Sequence, residues 1–293
     1  MDIGNLLIKH TKMKKSNLLL ICLFMIMVSC NQNNEPSLKM VWSTEPILKT
    51  PESIIYDSNN DVIYAGNMNE GTWRKDGDGY ISILSKDGKM KVEKWITDLS
   101  NPKGMGLWEG KLFVADCDEV VEINISKGEI TMRYKAETAR TLNDIDINSE
   151  GKVFVSDSRR GDVYYVGDTS VIFWVKIEGQ GGINGLYALK DSLLVGGDRI
   201  TKVDYETGNQ DPYIYGTGDI DGIEWVGGNQ YIVSDWNGIV RLVSPTSHPV
   251  ILLNTKPDSI NTADIEFIQK ENILLIPTFF DNRVLAYKLN DLK

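Results

Sequence analysis

Asn143-Asp144-Ile145-Asp146-Ile147, a turn through Asn148-Ser149-Glu150-Gly151-Lys152, and Val153-Phe154-Val155-Ser156-Asp157 form the stretch that decides the fold. It reads as a short apolar strand, a polar turn with Gly, and a β-branched strand ending in a small residue and Asp. Working outward, the same phrase recurs. Upstream, Ser53–Asp57 leads to Val62–Gly66, and Gly104–Leu107 leads to Leu112–Asp116. Downstream, Asn184–Tyr187 leads to Leu193–Gly197, Asp221–Trp225 to Tyr231–Asp235, and Asp264–Phe267 to Ile273–Pro277. After most pairs come a third strand, such as Asp162–Val166 or Gly238–Val243, and a more polar fourth, such as Val171–Lys176 or Val250–Leu253.

Six starts at spacings of roughly 37 to 50 residues predict six four-stranded units, each too thin to bury its own faces and so stacked radially. The expected fold is all-β: a six-bladed β-propeller of four-stranded blades. The last unit, ending with Arg283–Lys288, lacks a fourth strand, and Lys39–Thr44 is left over at the front to close it. A sandwich or β-helix suits a constant order of four strands per repeat less well. No stretch carries a helical period. Leu99–Leu107 followed by Leu112–Asp116 also resembles an NHL-type propeller repeat, over one blade.

The first thirty residues read differently. Lys12, Lys14 and Lys15 precede the apolar run Leu18–Val28, which ends in Met27-Val28-Ser29-Cys30. A basic segment, a short apolar segment and a small residue before Cys form a secretory signal with a bacterial lipobox. Met27 stands where Leu is usual, and Met13 is an alternative start. This predicts a lipoprotein signal peptide over 1–30, lipidation at Cys30, a polar tether over 31–38 and the propeller over 39–293. The protein is then exported and lipid-anchored in the bacterial cell envelope, facing the periplasm or the cell surface. A plain secretion signal with an incidental Cys is the alternative.

Of 293 residues, 42% are hydrophobic, enough for a sizeable core. Net charge is −10, and removing the four Lys and one Asp of residues 1–30 takes it to −13. So acidic a chain excludes a nucleic-acid partner, whose phosphates need a basic footprint. The expected contact with membrane is the lipid anchor alone, on a monomer. Cys117 is the one cysteine of the three outside the leader, so no internal disulfide is expected. With His248 the single His after the leader, Cys117 is not read as a nucleophile.

The starts of the inner strands meet at one mouth of a propeller's central channel. Glu52, Asn143, Asn184 and Asp221 stand there in blades one, three, four and five. Two carboxylates and two amides make an all-oxygen set, the donors a hard cation takes. Taken singly, each Asn or Asp is accounted for by capping a turn. Asp76-Gly77-Asp78-Gly79 resembles a calcium loop but lacks its closing Glu and reads as a hairpin turn.

Over about residues 45–290 these phrases, with Asn184-Gly185-Leu186 and Asp221-Gly222-Ile223, resemble the gluconolactonase/regucalcin (senescence marker protein) family of six-bladed propellers. Asn143-Asp144-Ile145 resembles the related paraoxonase-type propellers, although their His pair has no counterpart here. The resemblance implies Ca²⁺, or another divalent cation, held by Glu52, Asn143, Asn184 and Asp221. It implies Asp221 as both ligand and base, and a lactone, ester or sugar-like small molecule as substrate. Where the family has a substrate-holding Arg this chain has Thr141, with Arg140 one step earlier. Arg140, Asp144 and Asp264 are therefore candidate substrate contacts. The expected function is calcium-dependent hydrolysis of a lactone or ester. The alternative is a non-catalytic lipoprotein propeller binding a ligand or protein around a structural metal. In that case Trp73, Trp108, Trp225 and Trp236 are available to stack on a sugar, unless they pack between blades.

Overall fold

The computed structural model describes residues 35–69 and 74–292. Six separate four-stranded antiparallel sheets account for its strands. The inner strand is Pro51–Asp57 in blade one, Pro102–Trp108 in blade two, Leu142–Ile147 in blade three, Leu186–Ala188 in blade four, Ile220–Gly227 in blade five and Glu266–Ile268 in blade six. Each blade then runs outward in chain order. Blade six is the exception, as predicted. Its outer strand is Ser37–Ser43, antiparallel to Val284–Asn290. Ser37 and Leu38, assigned above to the tether, already pair with Asn290 and Leu289. Helical structure among the described residues is limited to three short 3-10 turns. The lipobox, Cys30, residues 31–34 of the tether and Trp73 lie outside the described residues.

Packing explains the continuous apolar runs of the second strands. Successive residues of a strand point to opposite faces, and both faces of a blade are covered. In blade six, Leu274 joins a cluster with Val226 and Ile232 of blade five, while Leu275 joins one with Ile54 and Ile63 of blade one. In blade one, Tyr64 turns the other way, to Leu112 and Val114 of blade two. Six such clusters fill the six gaps between consecutive blades. The core is therefore a ring of interfaces rather than one central mass.

The Asp that ends several second strands is a cap. Asp116 accepts the N–H groups of Ser100 and Asn101 just before the inner strand of its blade. Asp157 accepts the Arg140 N–H at 2.6 Å and the Thr141 hydroxyl at 3.0 Å. These buried carboxylates fix the loops that lead into the channel.

Candidate functional site

The geometry at the channel mouth begins with the inner strands. In blades one, two, three and five the inner strand slips register at its start, between Pro51 and Ser53, Pro102 and Met105, Leu142 and Ile145, and Ile220 and Ile223. A bulge there lifts Glu52, Lys103, Asn143 and Asp221 off the ladder and re-aims their side chains. The backbone groups freed by it find other partners. Asp144 N–H donates to Ser156 Oγ at 3.0 Å, and Gly222 N–H to Ser234 Oγ at 2.9 Å.

Neighbouring starts touch all the way round. Lys103 Nζ donates to Glu52 Oε1 at 2.9 Å. Leu186 N–H donates to Asp144 Oδ2 at 2.5 Å. The Asn184 amide donates to Asp221 Oδ1. Asp264 N–H donates to the Glu52 carbonyl at 3.1 Å, and Ser53 Oγ to Asp264 Oδ2 at 2.8 Å. Where blades two and five meet the next blade, glycine allows the approach. A Cβ on Gly104 would stand 2.5 Å from Asp144 Cα, and one on Gly222 2.7 Å from Ile265 N. Gly104 and Gly222 are thus required by the narrowness of the ring.

Of the predicted residues, Glu52, Asn143, Asp144 and Asp221 are buried at this mouth. Asn184 is bonded to Asp221, and Asp264 to Ser53. Arg140 stands apart. It is exposed and lines a separate pocket of about 240 Å³ with Lys75, Cys117 and Arg159. Thr141, at the place of the family's Arg, is 4% exposed and bonded inward to Asp157. Cys117 holds its proton: burial, with Asp116 and Asp118 nearby, pushes the thiol up to about 12.

Sequence reasoning missed Lys103. It occupies the start of blade two, the one Lys or Arg among the six equivalent positions. Its side chain is buried among the acids. It also missed the lower half of the channel, where Asp146, Glu224 and Glu266 sit two residues beyond Asp144, Gly222 and Asp264. Here the signal was legible, because residues two apart on a strand share a face.

Charge in the channel is mostly negative and mostly desolvated. Burial raises the Asp221 pKa to about 8, Glu52 and Asp235 add to the rise, and Lys103 opposes it. Asp144 and Asp264 are likewise pushed well above the usual carboxylate range by burial; among nearby charges, Asp146 and Glu52 raise the first, and Asp144, Glu52 and Asp221 the second. Glu52 Oε2 and Asp221 Oδ2 are buried oxygens with no hydrogen-bond partner. Unpartnered carboxylate oxygens are the donor type a hard cation takes. Among the described residues no group of three or more His, Cys, Asp or Glu forms a metal site, and the predicted set brings only two carboxylates.

The tryptophans divide. Trp108 and Trp225 pack against interblade clusters. Trp236 is 38% exposed and makes edge contacts with Phe279 and Phe280. That aromatic group is at the mouth end, since Asp235 pairs with Ile220 and Pro277 O accepts the Ala263 N–H.

Comparison with protein-family models gives no match, and comparison with curated proteins gives none. Among solved structures the fold is similar to a catalytically inactive virginiamycin B lyase from Staphylococcus aureus, determined with quinupristin. The two agree with a TM-score of 0.60 at 14% sequence identity, over 87% of this chain and 99% of that one. The likeness is one of fold, and the chain is a six-bladed β-propeller.

Proposed function

We propose that the channel mouth is the active site of a hydrolase acting on a lactone or ester, assisted by Ca²⁺ or another divalent cation. The observation that carries this reading is the pair of buried, unpartnered oxygens, Glu52 Oε2 and Asp221 Oδ2, beside Asn184. Glu52, Asn143, Asn184 and Asp221 would hold the cation, which when bound polarises a carbonyl and stabilises the oxyanion. Asp221 is the base. Its Oδ1 is held by the Asn184 amide, leaving Oδ2 to take a proton from water. Burial holds the Asp221 carboxyl up, and a bound cation would draw it back toward the ionised form that a base needs. Lys103 offsets the charge of Glu52 and keeps the site from excess repulsion.

A second reading rests on the aromatic group at the same end. Trp236 and Phe280, 38% and 60% exposed, favour a sugar-like or peptide ligand held without turnover. The inward-bonded Thr141 points the same way, since the family's substrate-holding Arg has no replacement there. A panel of sugar lactones and aryl esters, assayed with and without chelator, separates the two. Chelator-sensitive turnover supports the hydrolase; saturable ligand binding with no turnover of any member of the panel rejects it.

The envelope assignment is part of the same proposal and rests on residues 1–30. Metabolic labelling with a fatty acid tests it. Label that persists in Cys30→Ser, or no label in the wild type, rejects the lipid anchor.

A further inference from the structure

A cavity of about 600 Å³ opens at the end of the channel opposite the mouth, larger than the pockets of about 470 and 240 Å³ at the mouth end. Most of its lining comes from the last residues of the inner strands and the turns after them, with Lys111 and Ile125 of blade two added. Ile55, Met105, Leu107, Trp108 and Ile147 form an apolar wall, and Asp146 and Glu266 line it on the channel side.

The cavity has a cause in the repeat. An inner strand is the edge of its sheet, with N–H groups left unpaired. In three blades a carboxylate from the previous blade meets them. Asp146 Oδ2 accepts Ala188 N–H at 2.6 Å, and Glu224 and Glu266 stand in the same relation to the backbones of Phe267 and Tyr56. In blade one the equivalent residue is Ile55, so this latch is missing between blades one and two. In blade two it is Gly106, where a Cβ would lie 2.9 Å from Ile145 and Ile147. Blade two thus comes close to blade three, and the cavity lies where neither Ile55 nor Gly106 supplies a carboxylate latch.

What lines the gap defines a ligand. The volume suits a small organic molecule, and the wall suits an aliphatic or aromatic body. The polar end presents two carboxylates, with Glu224 next to them across the channel. Cations at the rim are already committed, since Lys111 Nζ lies 3.1 Å from Glu122 Oε1. Of the other acids there, Asp57 caps Asn59 and Asn60, and Glu109 is exposed. An anion would meet repulsion here, and a neutral molecule would strip water from the acids without compensation. We propose that this cavity binds an organic ammonium, with its cationic head toward Asp146 and Glu266 and its apolar body along Ile55, Leu107 and Trp108. The site is separate from the mouth and does not depend on the hydrolase reading.

Calorimetric titration of the purified protein with 2-phenylethylammonium, 2-phenylethanol and phenylacetate tests it, at pH 8.5, where the raised carboxyls of Asp146 and Glu266 are ionised. The ammonium should bind at least roughly tenfold tighter than the alcohol, and the anion should not bind. Leu107→Trp, which fills the cavity, should weaken the ammonium by a similar factor; Ile55→Trp replaces it if that variant does not fold. Glu266→Gln with Asp146→Asn should abolish the preference for charge. No saturable ammonium binding, equal binding of ammonium and alcohol, or an ammonium affinity unchanged in both kinds of variant overturns the proposal.

Discussion

Lys103 Nζ lies 2.9 Å from Glu52 Oε1, and both side chains are 4% exposed. The pair joins the inner strands of blades one and two at the mouth. Breaking a buried pair strands the remaining charge in a medium that cannot solvate it. Lys103→Met and Glu52→Gln should therefore each destabilise the fold by about 3–5 kcal/mol. The double variant should recover much of that loss. Denaturant unfolding measures it, and additive losses would show that the two groups act independently.

Catalysis at the mouth should depend on the Asp221 carboxylate. Asp221→Asn keeps the size and the contact with Asn184 but cannot take a proton. Turnover of any lactone or ester substrate should fall by about 10²–10⁴. If turnover stays intact while cation binding persists, the assignment of Asp221 as base is wrong.

Stability should fall as the solution becomes alkaline. Burial raises Asp146 to about 6 and Glu266 to about 8, from ordinary values of 3.8 and 4.5. Between those limits the folded state binds more protons than the unfolded one, so unfolding free energy decreases with rising pH. The contribution is complete below about pH 4 and is lost as pH rises through about 6 and then about 8. The melting temperature should be higher near pH 5.5 than near pH 8.5. Glu266→Gln should flatten the profile on its alkaline side. A melting temperature that rises over this interval contradicts the desolvated channel.

Two glycines should respond differently to alanine. At Gly222 a Cβ would lie 2.6 Å from Asp264 Oδ1 and 2.7 Å from Ile265 N, so blade six must shift. The cost should be about 1–3 kcal/mol, with a matching loss at the mouth. Gly208 has φ +69° and nothing within 4 Å, so Gly208→Ala should cost only the left-handed backbone penalty, about 1 kcal/mol, and leave ligand binding unchanged. Thermal unfolding and cation titration of both variants separate packing from backbone strain.

The outer strand of blade six supplies a further test. Ser37–Ser43 covers the edge of Val284–Asn290. Removing residues 37–43 exposes that edge, and the shortened protein should unfold at lower temperature and self-associate by edge pairing. Light scattering during melting reads both effects.

Much of this was legible in the chain because the strands are local. The run Val153–Asp157 and its five counterparts specify strands by their own composition, and the spacing of the starts specifies six units. Likewise, the missing outer strand of blade six and the spare strand at the front could be matched without coordinates. Glu52, Asn143, Asn184 and Asp221 were visible as irregularities in otherwise equivalent positions. Their mutual contacts were not, because they come from four blades spread over about 170 residues.

The sequence by itself thus determined a ring of six sheets and an acidic, oxygen-rich set of residues at the strand starts. Alternation and repeat length are properties of neighbouring residues and survive without coordinates. Only the tertiary structure decided that Lys103 stands against Glu52, that Arg140 points into a separate pocket, and that Ile55 and Gly106 leave a cavity at the far end. Each of those depends on which strand a neighbouring blade presents, and how closely, which chain order does not encode.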